Sequence, residues 1–344
     1  MIQSLCQEIE LRKDYLRPSQ LETIYFGGGT PSILDQSNLE SIFKTLNTHF
    51  SISETAEITL EANPEDISKE KLSFLSNLGV NRLSIGIQSF DDQILQMLNR
   101  THTGRQAQMS LTLAQEAGFM NLNADLIFAI PGRDVSILKK DVQLLIKNEL
   151  THISAYGLTI EEKTVFGKWA AAGKLKTVTE DQNADEFEFL MEELPAAGFY
   201  QYEISNFSKP GFESRHNSNY WKRVPYLGIG PGAHSYDGQS RQINVSNNQS
   251  YMQSMKTRTS FWTTEMLKPE DHINEYIMTS LRTSEGCDLE FLIKDLGYKP
   301  SPQYHSQIEY LIITGKAVQK DRFLQLTKSG KMIADQIAGD LFMI

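Results

Sequence analysis

The chain has 344 residues, 40% of them hydrophobic, and its 33 basic and 43 acidic residues give a formal charge of −10. This length supports one large domain, or a large and a small one, each with a hydrophobic core. The acidic balance argues against nucleic acid or an anionic membrane surface as the main partner, and no apolar run reaches membrane-spanning length. Two distant cysteines, Cys6 and Cys287, form no disulfide framework and suit a reducing cytoplasm.

Strands and helices alternate through the first half of the chain. An amphipathic helix over residues 2–16 comes first, and helices are predicted between the strands that follow. The predicted strands are Thr23–Gly29, Glu57–Asn63, Arg82–Gln88, Asn121–Ile130 and His152–Thr159. This alternation is typical of parallel βαβ units.

Each predicted strand carries glycine or polar residues at or near its carboxyl end. These residues are Gly28, Gly29 and Thr30, then Glu61 and Asn63, Gln88, Asp125, and finally Tyr156 and Gly157. The carboxyl ends of parallel strands meet at one face, so five such ends favour a barrel-like α/β sheet over a doubly wound one. The glycine run 27–29 exposes backbone N–H groups and lets a ligand approach closely, although a simple tight turn would also use it.

The pattern changes after residue 165. A strand is predicted over 200–205, aromatic and glycine-rich stretches follow at 215–221 and 226–235, and residues 236–264 are expected to form a polar, loop-rich linker. We therefore expect a barrel domain with its extension over 1–235 and a small C-terminal domain over 265–344.

The C-terminal domain is predicted to contain three helices, a hairpin and a last helix. The helices cover 270–283, 288–296 and 303–314, the hairpin strands lie near Ala317–Gln319 and Phe323–Thr327, and the last helix covers 329–342. This order resembles a winged helix. The unit has no basic patch, so a structural or partner-docking role is favoured over DNA binding.

Seven motifs in order carry a family resemblance across nearly the whole chain. They are Gly27-Gly28-Gly29-Thr30-Pro31, Glu61-Ala62-Asn63-Pro64, Gly86-Ile87-Gln88-Ser89-Phe90, Asn99-Arg100-Thr101-His102, Asp125-Leu126-Ile127, His216-Asn217-Ser218-Asn219-Tyr220-Trp221 and Gly228-Ile229-Gly230-Pro231-Gly232-Ala233-His234-Ser235. Together they resemble the radical S-adenosylmethionine family of the oxygen-independent coproporphyrinogen oxidase type, and within it the HemW-type heme chaperones.

The resemblance implies an incomplete parallel (β/α) barrel that binds S-adenosylmethionine. By this likeness Gly28, Gly29 and Thr30 hold the methionyl end of the cofactor. The polar ring around the rest of it is Glu61, Gln88, Arg100 and Asp125, with Gly157 and His234 at two further positions. Each has a structural alternative: Asp125 as a capping carboxylate, Arg100 in a surface ion pair, and Gln88 bonded to barrel backbone.

The resemblance also implies heme as cargo, held by His216, Asn217, Tyr220 and Trp221. Histidine is a common iron ligand and flat aromatic rings pack on porphyrins, but a histidine among aromatics is also common in ordinary cores and loops. The implied function is transfer of heme to an acceptor protein that the sequence does not identify. A membrane-associated protein is one candidate for that acceptor, although the chain has no membrane segment of its own. The alternative is an oxygen-independent coproporphyrinogen III oxidase, which converts propionates to vinyl groups.

One family feature is missing. The family holds a four-iron four-sulfur cluster with three cysteines in a C-x-x-x-C-x-x-C run on the first strand, and this chain contains only Cys6 and Cys287. A cluster of this type needs thiolate ligands. The sequence therefore does not decide whether this chain is an enzyme that uses radical chemistry. Either the start is misplaced and the cysteines lie upstream, or the chain begins here with an open barrel edge and no radical chemistry. A third interpretation is an inactive fragment that binds neither ligand.

Overall fold

A computed structural model describes residues 1–16, 20–175, 177–300 and 302–343. Its main sheet has seven strands: β1 (Leu21–Phe26), β2 (Ile52–Ala62), β3 (Arg82–Gln88), β4 (Asn121–Phe128), β5 (His152–Gly157), β6 (Tyr200–Glu203) and β7 (Asn206–Ser208). Their order is β1-β2-β3-β4-β5-β7-β6, with β1 to β5 parallel and β7 antiparallel to its two neighbours. Among the described strands β1 and β6 form the two edges, so the curled sheet is an open barrel. The predicted α/β class and incomplete barrel are confirmed.

Helices occupy the connections between the strands. They are α1 (Ile2–Leu11), α2 (Gln36–His49), α3 (Lys69–Asn77), α4 (Asp92–Met97), α5 (Gly104–Glu116), α6 (Val135–Lys147), α7 (Val165–Ala171) and α8 (Glu180–Ala196). Polar side chains fix where they start. The Asp35 carboxylate accepts the Asn38 N–H before α2, and Thr103 and Gln106 form a capping box at α5.

The hydrophobic core lies on the outer face of the sheet. Leu83, Ile85 and Ile87 of β3 are fully buried and belong to one cluster with Leu111 of α5 and Leu145 of α6. Successive strand residues face opposite sides of a sheet. The residues between these three therefore point into the barrel.

Residues 200–208 form a tight hairpin, whereas the sequence predicts a single strand over 200–205. β6 ends at Glu203 and β7 begins at Asn206. The Glu203 carboxylate accepts the Ser205 N–H at 3.0 Å, which stabilises the turn. The reversal places β7 against β5.

The short helix α9 (Arg215–Trp221) follows β7, and a second sheet follows α9. This sheet is antiparallel and contains β8 (His234–Tyr236), β9 (Ser240–Asn244) and β10 (Trp262–Met266), with α10 (Asn248–Thr257) between the last two. The expectation of a loop-rich linker over 236–264 is therefore wrong. Tyr251, Met255 and Phe261 form a small core of their own, and this apolar burial supports ordered structure in a mostly polar segment.

The C-terminal elements follow the predicted order, except that a short strand not predicted, β11, precedes the second helix and the last helix is split. They are α11 (Pro269–Leu281), β11 (Cys287–Asp288), α12 (Leu289–Lys294), α13 (Pro302–Ile313), β12 (Ala317–Lys320), β13 (Phe323–Leu326), α14 (Lys328–Lys331) and α15 (Ala334–Asp340). The helix breaks at Ile333, whose backbone is not helical. The division into domains stays a prediction. None of the helices described has the length and apolar character needed to cross a membrane.

Candidate functional site

The inside of the barrel is polar because alternate strand residues point into it. Arg82 and Ser84 of β3 line the interior, while Leu83 and Ile85 face the core. The parallel register pairs Ser84 with Glu61 on β2 and with Asn123 on β4. Neighbouring strands thus bring polar side chains to one level of the barrel.

These side chains enclose a cavity of 130 Å³, which we call the barrel cavity. Its lining is Tyr25, Glu61, Arg82, Ser84, Asn123, Asp125, Ser154, Tyr156 and Asn217. Sequence reasoning predicted Glu61 and Asp125 as cofactor residues and Asn217 as a heme residue, and the structure brings these three together. It missed the others as site residues. The sequence did contain a signal for them. Polar residues alternate with apolar ones along these strands, which indicates that one face of the sheet lines a polar interior.

The two carboxylates of the barrel cavity already have hydrogen-bond donors. The Tyr25 hydroxyl donates to Glu61 Oε1 at 2.7 Å, and Asn123 Nδ2 donates to Asp125 Oδ1 at 2.8 Å. Burial raises the pKa of Asp125 to about 6 and, with the Glu61 carboxylate beside it, raises the pKa of Tyr25 well above its usual value. At neutral pH these groups are poised to accept hydrogen bonds from a ligand amine or hydroxyl.

The glycine run follows β1 at the rim of this cavity. A Cβ on Gly27 would lie 2.5 Å from Tyr25 Cε1 and 2.7 Å from Glu61 Oε1, so only glycine fits there without moving cavity side chains. Gly28 has a φ of 75°, and a Cβ on Gly28 or Gly29 would meet no atom within 4 Å. Thr30 follows, and its side chain makes no cap to the turn after it. Gly27, Gly28, Gly29 and Thr30 thus form an open stretch of backbone beside the cavity, which we call the glycine cradle.

Gln88 and Arg100 meet over Gly86. A Cβ on Gly86 would lie 3.0 Å from Gln88 Nε2 and 3.3 Å from an Arg100 terminal nitrogen. Gln88 has a φ of 64°, a conformation that costs about 1–3 kcal/mol for a residue other than glycine and is concentrated at functional sites. Within the described chain no acid lies at ion-pair distance from Arg100, which argues against the surface ion pair.

Gly157 and His234 do not line the barrel cavity. Gly157 is exposed at the end of β5, where a Cβ would be in ordinary contact with Phe128 and Asn183. His234 is exposed on β8, in the separate antiparallel sheet. The structure therefore does not place either of them with the barrel cavity residues.

The four predicted heme residues lie on α9 but face different surroundings. The His216 ring stacks on Tyr25 with centroids 4.5 Å apart and meets Tyr220 edge-on at 5.0 Å. Asn217 lines the barrel cavity, and Tyr220 is 41% exposed. Trp221 lies 5.6 Å from the Arg282 guanidinium. The four side chains thus do not form a single pocket.

Trp221 borders a second and larger cavity. This cleft of 1080 Å³ lies at the amino-terminal ends of the strands, between the barrel, α9 and the C-terminal elements. Its walls include Glu57, Tyr202, Tyr276 and Arg322. Sequence reasoning did not find it, because its residues come from segments far apart in the chain.

The partly buried His216 gives a pH-dependent stability. Burial, with a smaller effect of the Arg82 charge, lowers the pKa of His216 to about 4. An unfolded histidine binds its proton at about pH 6.5. Unfolding therefore takes up a proton between these values, and the free energy of unfolding falls as the pH drops through that window. Urea unfolding should show about one proton less uptake near pH 5 for His216→Phe than for the wild type.

The residues of this chain do not fit a four-iron four-sulfur cluster. Cys6 lies on α1 with its thiol 3.7 Å from the Ser41 carbonyl, and Cys287 is buried in β11. Among the described residues no group of three histidine, cysteine or acidic side chains has the geometry of a metal site.

Comparisons with known proteins match these features. Residues 5–145 match the profile of the radical SAM superfamily. The heme chaperone HemW of Bacillus subtilis is 34% identical over 93% of this chain and 85% of the relative. The HemW proteins of Lactococcus lactis (36% identical, 93% of this chain, 83% of the relative) and Escherichia coli (30%, 99% and 89%) are similar.

A solved structure shows the same fold. Coproporphyrinogen III oxidase HemN from Escherichia coli, described as a radical SAM enzyme, superposes with a TM-score of 0.82 over 99% of this chain and 82% of its own, at 21% identity. That likeness concerns the fold alone. The HemW relatives are 30% to 36% identical over most of both chains, and on that basis this chain belongs to the HemW family of radical S-adenosylmethionine proteins.

Proposed function

We propose that this protein binds heme and passes it to an acceptor protein. The observation that carries the proposal is the position of His216 on α9. Its ring lies against Tyr25 and Tyr220, with Nδ1 3.5 Å from Thr23 Oγ1, and imidazole nitrogens are common iron ligands in heme proteins. The heme chaperone function of the HemW relatives supports the same conclusion.

The surroundings of His216 suggest how the porphyrin is held. Tyr220 lies edge-on to His216 and exposes 41% of its surface, so its flat ring is accessible to a porphyrin arriving from solvent. Trp221 faces the cleft instead and contacts Arg282. We therefore assign His216 as the iron ligand, Tyr220 as a packing surface, and Trp221 as the contact that holds α9 against the C-terminal elements.

The barrel cavity and the glycine cradle fit S-adenosylmethionine. The backbone N–H groups of Gly28 and Gly29 and the Thr30 hydroxyl suit its methionyl end. Glu61 and Asp125 are acceptors for those amine or hydroxyl groups of the cofactor that reach the barrel cavity, and Gln88 and Arg100 lie together over Gly86. When bound, this cofactor supplies an activated sulfonium. Asn217 lines the cavity beside His216, so α9 connects the cofactor residues with the heme residues.

No radical step is proposed, because the cysteines present do not fit the cluster. The likeness to HemN shows the fold alone, so the oxidase activity is not proposed either. The setting we propose is the cytoplasm, which suits two free cysteines.

Heme titration tests the proposal. Wild-type protein should give a saturable Soret band on hemin addition, and His216→Ala should weaken binding by roughly tenfold or more because the iron ligand is lost. The exposed His305→Ala is the matched control and should bind as the wild type does. An unchanged Soret band in His216→Ala would show that the ligand assignment is wrong. Absence of saturable binding in the wild type would reject the heme function.

A further inference from the structure

Arg82 is a buried charge with no partner among the described residues. It is the first residue of β3 and is 2% exposed. Its Nε is fully enclosed and makes no hydrogen bond. No acid of the described chain lies within ion-pair distance of it. A buried, unpaired guanidinium is costly, so the position calls for an explanation.

The side chain borders the barrel cavity, whose own carboxylates are already engaged. Glu61 accepts from Tyr25, and Asp125 accepts from Asn123 and, at 3.4 Å, from Ser84. Both acids line the same cavity as Arg82 but lie beyond ion-pair distance of it. Guanidinium has five N–H donors in a planar fork that matches a carboxylate.

The size of the cavity limits what can enter. At 130 Å³ it holds the volume of roughly four water molecules, which is enough for a carboxylate on a short alkyl arm and too little for a whole porphyrin or nucleoside. His216 and Asn217 are consecutive on α9, and Asn217 lines the cavity. Tyr25 lines it as well and stacks on His216. A ligand held at His216 or at the glycine cradle therefore lies beside side chains that line the cavity.

We propose that the barrel cavity is a carboxylate subsite in which Arg82 binds the carboxylate arm of a ligand. This inference rests on the proposed function, because two ligands proposed above carry such an arm. One is S-adenosylmethionine, with its methionyl carboxylate, and the other is heme, with its propionates. The chemistry is the same in both cases, and Arg82 pairs with the carboxylate by charge-assisted hydrogen bonds.

Two pairs of ligands distinguish the sources. Affinities are measured for S-adenosylmethionine against its decarboxylated analogue, and for heme against heme dimethyl ester. In one of the two pairs, the wild type should bind the ligand that carries the free carboxylate roughly tenfold or more tightly than the ligand that lacks it. Arg82→Gln should abolish that preference, and Arg82→Lys should retain part of it. The exposed Arg105→Gln controls for loss of a positive charge.

Every outcome decides the inference. Loss of preference in the first pair identifies the methionyl carboxylate, and loss in the second identifies a propionate. If the wild type shows no preference in either pair, the subsite is rejected even if Arg82→Gln does not fold. Preferences that persist in Arg82→Gln reject it as well. Failure of wild-type heme binding rejects the heme proposal separately, because the first pair still tests Arg82.

Discussion

Glu8→Ala is expected to lower the free energy of unfolding by about 3–5 kcal/mol. Glu8 lies on α1, is fully buried, and forms an ion pair with Arg12, which is also buried. It accepts hydrogen bonds from the Gly230 N–H at 2.8 Å, from Asn244 Nδ2 at 2.8 Å and from the Tyr251 hydroxyl at 2.5 Å. Removing the carboxylate leaves a buried cation and three buried donors without their acceptor.

Urea unfolding of wild type and variant measures this effect. Glu10→Ala on the same helix is the matched control, because Glu10 is exposed, and it should change stability by less than about 0.5 kcal/mol. Glu8→Gln should fall between the two, since an amide keeps one acceptor oxygen. Equal stabilities for Glu8→Ala and Glu10→Ala would contradict the role of Glu8 in joining α1 to the loop around Gly230.

Gly27→Ala is expected to weaken S-adenosylmethionine binding by roughly tenfold to a hundredfold while the protein stays folded. The added Cβ would lie 2.7 Å from Glu61 Oε1 and 2.5 Å from Tyr25 Cε1. Both atoms belong to side chains, so they move instead of the backbone. That movement breaks the 2.7 Å hydrogen bond between Tyr25 and Glu61 and displaces a proposed cofactor ligand.

Isothermal titration with S-adenosylmethionine checks this, alongside thermal unfolding to confirm the fold. Gly339→Ala is the control for the same chemical change, because a Cβ there would meet no atom within 4 Å and Gly339 has no positive φ. Wild-type affinity in Gly27→Ala would show that the cofactor does not use Glu61 at the glycine cradle.

The local sequence pattern was sufficient to predict an element whose bounds depend on its own residues. The strand over Arg82–Gln88 was predicted with the observed bounds, since Leu83, Ile85 and Ile87 alternate with other residues over a short run. The segment 236–264 was misjudged as a linker because its composition is polar. A small apolar cluster of Tyr251, Met255 and Phe261 accompanies its order, and an average over the composition of the segment hides such residues.

Candidate site residues were predictable when they sit at strand ends, and less so inside the barrel. The positions of Glu61 and Asp125 on two parallel strands, β2 and β4, with only β3 between them already implied one site. Arg82 gave no such signal, because a basic residue at the start of a strand is common on surfaces. Its importance comes from the enclosure that β2, β4 and α9 build around it.

The sequence by itself determined the βα alternation, the order of the C-terminal elements and the family, since these depend on periodicity and on motifs that are contiguous in the chain. Only the tertiary structure decided that the α9 residues face separate surroundings and that the Arg82 guanidinium has no acidic partner among the described residues. It also decided that burial lowers the pKa of His216. Burial and electrostatic partners depend on segments brought together over long sequence separations, and no local pattern encodes them.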